Sequence, residues 1–540
     1  MRNLLGALVG NEAVAVAALC AVAVSLKILL LLTSQSAVDG DEAILGLMAL
    51  HIQRGVSSPL FFYGQSYDAG AGVFAHAAAA AFAIGGVSGL SLKLVALSVW
   101  LGMALLAGGV LREWMGWRAA AYGVALILWA PTSVEWAMKA RGGYMLSVIF
   151  SLMTLAGASR TRDSSPPEPA VEQALETKPL RPSSPGRWRR LASALTIGAC
   201  GAAAVWAQPT ALPLVGVVVL CVVAESLVKR DVASAAVIVA GAIAVSIVPL
   251  AVVSASSSSW SWQALADADG HRNPALLFGS VLPALFTPEL DAAYPPAPSW
   301  VATVGSLWLG AVAGAFVLAL LGRLRGVIPC HLRRPSALLL ASMASAPLAF
   351  FLVDSSYARP RHILSLYPIA CILVAGVVEL WRRHTARDHS VGVLAVLILS
   401  GAAVHVESLG PPTIHGAGEQ EWRQPAAFVE QMIADLDRHQ VECVFSESPM
   451  FQWNLMFASN ERIAARWITA QDRWPPYVER VNRAFAAGER CAVLLADMEG
   501  SGRIFRLRSR LGEETELLTL FNERYALLYQ IPSDIRSVFR

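Results

Sequence analysis

The sequence predicts a mainly α-helical, polytopic membrane bundle of about 11 spans plus interfacial helices, carrying a small C-terminal α/β domain outside the membrane. Three observations predict it. Of 540 residues, 55% are hydrophobic and only 15% charged, where a soluble domain carries about 25% charged residues. Apolar runs long enough to cross a bilayer recur as far as residue 406. Beyond that point, short strand-like runs alternate with helix-like ones.

The apolar runs occupy 12–33, 91–111, 119–134, 142–158, 191–207, 210–228, 232–253, 299–321, 336–353, 361–381 and 390–406. A spanning helix takes roughly 17–25 residues, so 119–134 crosses only with tilt or help from its flanks. The first run follows Arg2 and continues to Thr33. It exceeds the roughly 7–15 apolar residues of a signal peptide and reads as an uncleaved span. Residues 71–88 are Ala- and Gly-rich, carry His76 and are only weakly apolar. Charge decides their placement. If they stay at the interface, one set of loops collects Arg112 and Arg118, the basic residues of 159–190, Lys229 and Arg230. The same set collects Arg323, Arg325, Arg333 and Arg334, then Arg382, Arg383 and Arg387. The positive-inside rule makes that side cytoplasmic. The N-terminus is then cytoplasmic and the C-terminal domain extracytoplasmic, in a plasma or inner membrane. Residues 159–190, rich in Pro, Ser and charge, read as a disordered cytoplasmic loop.

Two domains follow: 1–406 in the membrane, with a first external loop over 34–90, and 407–540 outside. In the outer domain QPAAFVEQMIADLDRH precedes VECVFSE, PPYVERVNRAFAAGER precedes CAVLLAD, and YALLYQI comes last. No glycine-rich phosphate loop opens these helices, so nucleotide binding has no support. The net charge of +3 is spread in short patches, which excludes a nucleic-acid surface. Seven cysteines show no CxxC pattern. A disulfide between Cys443 and Cys491 is left open, because spacing does not fix geometry.

The polar chemistry gathers on the external side. The first external loop holds Asp39, Asp41, Glu42, Tyr63, Gln65, Tyr67 and Asp68, and the next holds Glu135, Lys139 and Arg141. Then come Gln208, the loop 254–298 with Asp267, Asp269, His271 and Arg272, and finally Asp354, Tyr357, Arg359, Arg361 and His362. Lys27 lies inside the first span, near its outer end. Carboxylates can take a proton, and arginines bind phosphate in a bidentate way. Beside apolar walls, that combination suits a lipid-phosphate substrate whose tail stays in the bilayer.

The pair Asp41-Glu42 after the first span, FFYGQSYDAGAG (61–72), ARGGYMLSVIFSL (140–152) and RPRHILSLYP (359–368) carry a family likeness. Together they resemble the GT-C class of membrane glycosyltransferases, family 39-like, related to protein O-mannosyltransferases and lipid A aminoarabinose transferases. FQWNLMFASNERIAA and RWPPYVERV resemble the extracytoplasmic domain attached to many bacterial members. The likeness covers most of the chain and rests on the order of its motifs. It implies a polyprenyl-phosphate sugar donor, an external acceptor (protein, glycan or lipid), inversion at the anomeric carbon, and a first-loop aspartate as base. That role passes to Asp41 by its place in the Asp-Glu pair, with Glu42 in support. Arg361, Arg359 and Lys27 are the candidates for the donor phosphate. Tyr63, Gln65, Tyr67, Asp68, Arg141, His271 and Arg272 are the substrate-binding candidates. One departure stands out. Many relatives carry a carboxylate about five residues after the YGQxY tyrosine; here that position is Gly72, and Asp68 directly follows Tyr67. The likeness therefore does not carry the sugar or the acceptor.

Plainer roles compete. Asp39 and Glu42 fit a helix capping box, with Asp41 then favoured by the helix dipole but required by no cap; the alternative is that Asp41 is itself the N-cap. The helix they open has Ile44, Leu47, Met48 and Ile52 at helical spacing and is expected to lie along the membrane interface. Lys27 can snorkel, Arg359 and Arg361 can anchor the interface, Arg141 can pair with Glu135, and Tyr63, Gln65 and Tyr67 can form an aromatic belt. Trp453 and Asn454 suit packing better than sugar contact. The sequence points to no definite cofactor, a divalent cation between Asp41 and a phosphate stays open, and no HxxxH or HExxH zinc pattern occurs. The functional alternative is a lipid-linked sugar transporter or a non-catalytic envelope binding or sensor protein on the same scaffold. Transporters place ionisable groups near the midplane, often in inverted repeats. Here the charges lie in external loops and no repeat is visible.

Overall fold

The computed structural model describes residues 2–33, 38–65, 67–160, 185–255, 282–287, 299–353, 360–384, 389–407, 426–448, 450–468, 472–496, 517–520 and 525–528. Its first helices are α1 (Arg2–Thr33), α2 (Gly40–Gln53), α3 (Ala69–Gly85), α4 (Gly89–Met115), α5 (Trp117–Trp129), the single turn α6 (Ser133–Trp136) and α7 (Gly142–Arg160). Then follow α8 (Pro185–Ala207), α9 (Leu212–Val228), α10 (Val232–Ala255), α11 (Ser299–Leu324), α12 (Cys330–Val353), α13 (Leu366–His384) and α14 (His389–Glu407). Every apolar run read from the sequence falls on a helix. Among the described residues, 7 helices are long and apolar enough to span by themselves. The chain is a multi-pass membrane protein.

Two boundaries differ from expectation. The run 119–134 breaks after Trp129, because Ala130 precedes Pro131 and the residue before a proline is driven out of helical geometry. The loop expected over 159–190 is shorter at both ends, since α7 runs to Arg160 and α8 begins at Pro185. Residues 161–184 lie outside the described residues.

Small residues let the spanning helices approach closely. A side chain at Gly198 of α8 would overlap the Ile238 backbone of α10, and one at Gly241 of α10 would press on Leu195. A side chain at Gly401 of α14 would strike the Trp129 carbonyl.

The outer domain contains α15 (Ala426–Arg438), β1 (Cys443–Ser446), α16 (Phe451–Ala458), β2 (Ala464–Trp467), α17 (Pro475–Ala486), β3 (Cys491–Ala496), β4 (Leu517–Leu520) and β5 (Tyr525–Leu528). The sheet order is β2-β1-β3-β5-β4. β1 runs parallel to β2 and β3, and β5 runs antiparallel to β3 and β4. The register sets Cys443 opposite Cys491, their Cα atoms 4.6 Å apart, and the two form a disulfide.

α2 does not lie along a lipid interface. Its residues Ala43 to His51 are all buried, as expected of a helix with apolar residues on every side. One side meets α3. The other meets α16, where Gly46 lies under the Phe457 ring and Gly40 under Met450. Ile44, Leu47 and Met48 of α2 belong to the same apolar cluster as Phe74 and Phe82 of α3 and Phe428, Trp453 and Leu494 of the outer domain. Trp453 is a fully buried packing residue, and Asn454 is buried beside it.

Candidate active site

The site is built on the first turn of α2. Asp39 Oδ1 accepts from the Glu42 amide at 2.8 Å, and Glu42 Oε2 accepts from the Asp39 amide at 3.0 Å. This reciprocal box fixes the helix start and sorts the three carboxylates into different surroundings.

Glu42 is held on both oxygens by the fold. Its carboxylate accepts from Lys93 Nζ at 2.9 and 3.0 Å and from the Ala140 amide at 2.7 Å. Both oxygens are occupied by the fold, and the side chain is fully buried. Glu42 bolts α2 to α4 and to the α6–α7 connection, and so fixes the helix turn that presents Asp41. Asp39 faces Arg141 at 3.3 Å and Lys139 at 3.6 Å. Lys139 also pairs with Glu135 at 2.9 Å, one helical turn away. Asp41 keeps 23% of its side chain exposed, against 4% for Asp39 and 0% for Glu42. It is the carboxylate of the three that a ligand can reach.

Two guanidinium groups flank Asp41. Arg141 approaches Oδ2 at 3.0 Å and Arg473 approaches Oδ1 at 3.5 Å. Arg141 is placed by the glycines that follow it. A side chain at Gly142 would overlap Phe74, and one at Gly143 would overlap the Asp68 carboxylate and press on the Ala207 carbonyl. The start of α7 thus lies flat against the start of α3 and brings Arg141 beside Asp68. Gly143→Ala should destabilise the protein by about 1–3 kcal/mol through overpacking and lower activity with it. Thermal unfolding of the purified protein checks the first effect.

Asp68 has φ +65, a left-handed backbone, and caps α3 by accepting from the Ala71 amide at 3.1 Å. Its carboxyl is pushed up to about 7, first by desolvation and further by the Asp41 charge, while the Ala71 amide and Arg141 oppose. In the unfolded chain the same group ionises near the usual 4. Between those two values the folded state holds a proton that the unfolded state has released, so stability falls as pH rises across that window. Asp68→Asn should therefore raise the melting temperature at pH 8 and leave it unchanged at pH 4. Gly72 has no room for a side chain: a Cβ there would overlap the Leu60 carbonyl.

Tyr67 is exposed. Desolvation and then the charges of Asp68 and Asp41 raise its hydroxyl pKa, while Arg473 and Arg361 oppose. Four charges from separate parts of the chain therefore act at this hydroxyl. Arg361 reaches the group from a 3-10 turn, Pro360–Ile363, just before α13.

Tyr63 is buried between the first loop and the outer domain. Its hydroxyl meets His51 Nδ1 at 2.6 Å and Ser57 Oγ at 2.9 Å, and its ring stacks on Trp474 at 4.3 Å. His51 Nε2 in turn meets Glu461 at 2.7 Å, Tyr477 donates to the same carboxylate at 2.6 Å, and Arg54 pairs with it as well. Burial works against the Glu461 charge. The hydrogen bonds from His51 and Tyr477, with the charges of His51 and Arg54, still hold it below its ordinary range. Glu461 adopts φ +62 to point there. Gln65 closes the adjoining turn through its amide to the Phe62 carbonyl at 3.0 Å. Gly64, at φ +73, lies under Arg473, whose Cα would stand 2.9 Å from any added Cβ.

Lys27 lies away from Asp41, inside the helix bundle. It is fully buried and donates to the Leu128 carbonyl at 2.7 Å, with His405 Nε2 at 2.8 Å. It serves the packing of α1, α5 and α14, and it does not snorkel. Arg359, His271, Arg272, Asp267, Asp269, Asp354 and Tyr357 lie outside the described residues. Among the described residues, no group of three His, Cys, Asp or Glu side chains is placed to hold a metal ion.

No family model matches the sequence, and no curated protein matches it. Solved structures do match the fold. ArnT from Cupriavidus metallidurans bound to undecaprenyl phosphate aligns over 96% of this chain and 98% of its own, with TM-score 0.63 and 14% identity. The chain has the ArnT fold. The apo ArnT structure agrees, with TM-score 0.61, 14% identity and coverage of 98% and 99%. The oligosaccharyltransferase AglB from Archaeoglobus fulgidus, in complex with an inhibitory peptide and a dolichol-phosphate, aligns over 90% of this chain and 70% of its own, with TM-score 0.48 and 12% identity. On the ArnT fold as this chain builds it, Asp41, Tyr67 and Asp68 come from the first loop, Arg141 from the second and Arg361 from the approach to α13. Arg473 comes from the outer domain and escaped the sequence reading. Its stretch RWPPYVERV is conspicuous, yet a lone arginine before a Pro-Pro helix start gives no sign that it meets Asp41.

Proposed function

We propose that the chain is a membrane glycosyltransferase that moves a sugar from a polyprenyl-phosphate donor to an extracytoplasmic acceptor, with inversion and with Asp41 as general base. The observation that carries this reading is the reachable Asp41 carboxylate set among Arg141, Arg473 and the more distant Arg361. A sugar phosphodiester needs cationic stabilisation of its leaving phosphate more than protonation, and guanidinium groups supply it. The acceptor hydroxyl or amine needs a carboxylate within hydrogen-bond reach to receive its proton. Attack from the face opposite the phosphate inverts the anomeric carbon in one displacement. The undecaprenyl phosphate bound to ArnT supports the lipid-phosphate class of donor. In this reading the N-terminus is cytoplasmic and the outer domain extracytoplasmic, consistent with the charge distribution of the loops. Tyr67 and Asp68 line the sugar side of the site.

Mass spectrometry of envelope proteins, glycans and lipids, from cells with and without the protein, tests the reading. One sugar addition should vanish in the deletion and in a strain carrying Asp41→Asn. An unchanged profile in every fraction would overturn it in favour of the transporter or binding protein.

A further inference from the structure

The geometry points to Arg473 as a phosphate ligand that the outer domain lends to the membrane site, and as the group that releases Asp41 when the donor arrives. The inference rests on the glycosyltransferase reading above. Its starting point is that Asp41 is paired on both oxygens. Arg141 holds Oδ2 at 3.0 Å with 13% of its side chain exposed, whereas Arg473 holds Oδ1 at 3.5 Å with 34% exposed. With both oxygens facing guanidinium groups, an acceptor hydroxyl has no open carboxylate oxygen to bond to until one contact gives way. The longer and more exposed contact is the one that a competing anion displaces more readily.

Arg473 is built to stay at this place without Asp41. Its guanidinium lies 5.2 Å over the Phe62 ring, a contact that holds the cation independently of any carboxylate. Its backbone is pinned by Asp472, whose carboxylate accepts from the Arg473 amide at 2.7 Å, from Gln452 at 3.1 and 3.2 Å and from the Trp467 amide at 3.1 Å. The neighbouring Trp474 stacks on Tyr63. Only the end of the side chain is left to move between a carboxylate and a nearby anion.

In the resulting step the donor's phosphodiester anion draws Arg473 off Oδ1. The acceptor O–H then gives its proton to Oδ1, and its oxygen forms the new bond to the anomeric carbon. The bond from that carbon to the phosphate oxygen breaks, and its electron pair leaves with the lipid phosphate. That product gains a second negative charge, which Arg473 meets as it develops.

Binding of undecaprenyl phosphate and of uncharged undecaprenol to the purified full chain tests the exchange. Arg473→Ala should weaken undecaprenyl phosphate binding about tenfold or more, the weight of a charged hydrogen bond, and leave undecaprenol binding unchanged. Arg473→Lys, which keeps the charge, should weaken it less. Asp41→Asn, which removes the competing carboxylate, should bind undecaprenyl phosphate more tightly than the wild type. That gain should shrink when Arg473→Ala is added. Unchanged lipid-phosphate binding in both Arg473 variants, or equal weakening for undecaprenol, would overturn the assignment. Wild-type sugar transfer by Asp41→Asn would instead sink the base assignment and leave the binding result standing, so the two failures are distinguishable.

Discussion

Asp41→Asn is expected to lower sugar transfer by about 10²–10⁴-fold, the range that a positioned general base contributes. The substitution keeps the shape of the side chain and removes its ability to take a proton. It should cost the fold little. The capping box that starts α2 is made by Asp39 and Glu42, and Asp41 stands outside it. The paired guanidinium groups retain a neutral oxygen to contact, and Arg141 keeps Asp39 at 3.3 Å. The melting temperature of the purified protein should therefore match the wild type while turnover collapses. Retained turnover would show that Asp41 is not the base, whatever else the site binds.

Glu42→Gln is expected to do the opposite. It should lower stability by about 3–5 kcal/mol, the cost of leaving a buried charge without its partner. Lys93 Nζ sits 2.9 Å from the Glu42 carboxylate, and both side chains are buried. A glutamine presents an NH₂ group in place of one oxygen, to Lys93 and to either the Ala140 or the Asp39 amide, which need an acceptor there. Activity should fall together with the melting temperature, because the helix start that presents Asp41 loses its anchor to α4. Adding Lys93→Met should restore part of the stability by removing the stranded charge. A Glu42→Gln protein that melts like the wild type and still loses activity would return this residue to the chemistry.

The contrast between these neighbours shows what a single sequence can carry. The capping box is a local pattern, so Asp39 and Glu42 were legible as helix closers and Asp41 as the residue left over. The spans were legible because length and apolarity are local too. What was not legible depends on contacts across hundreds of positions. Lys93 looks like one more charge near a span end until it meets Glu42. Lys27 looks like a phosphate ligand until the fold closes it against His405. Tyr63 looks like a sugar contact until Trp474 stacks on it. In the outer domain, α16 is only eight residues long, and the strand AARW has no β-branched residue. Neither gave the pattern that longer elements give. The α2 helix was misplaced for the same reason. Its apolar face was visible, but the sequence does not say whether lipid or another part of the chain covers it.

The shared apolar cluster of α2 and the outer domain bears on how such proteins can be recombined. A graft cut at residue 407 would tear Phe451, Trp453 and Phe457 from the helix they pack on. The transplanted domain would then have to accept a foreign α2, complete with its Gly40 and Gly46 notches. A graft that keeps this packing must therefore move residues 38–65 together with the outer domain. Those residues include Asp41, so the unit of exchange takes part of the candidate site with it.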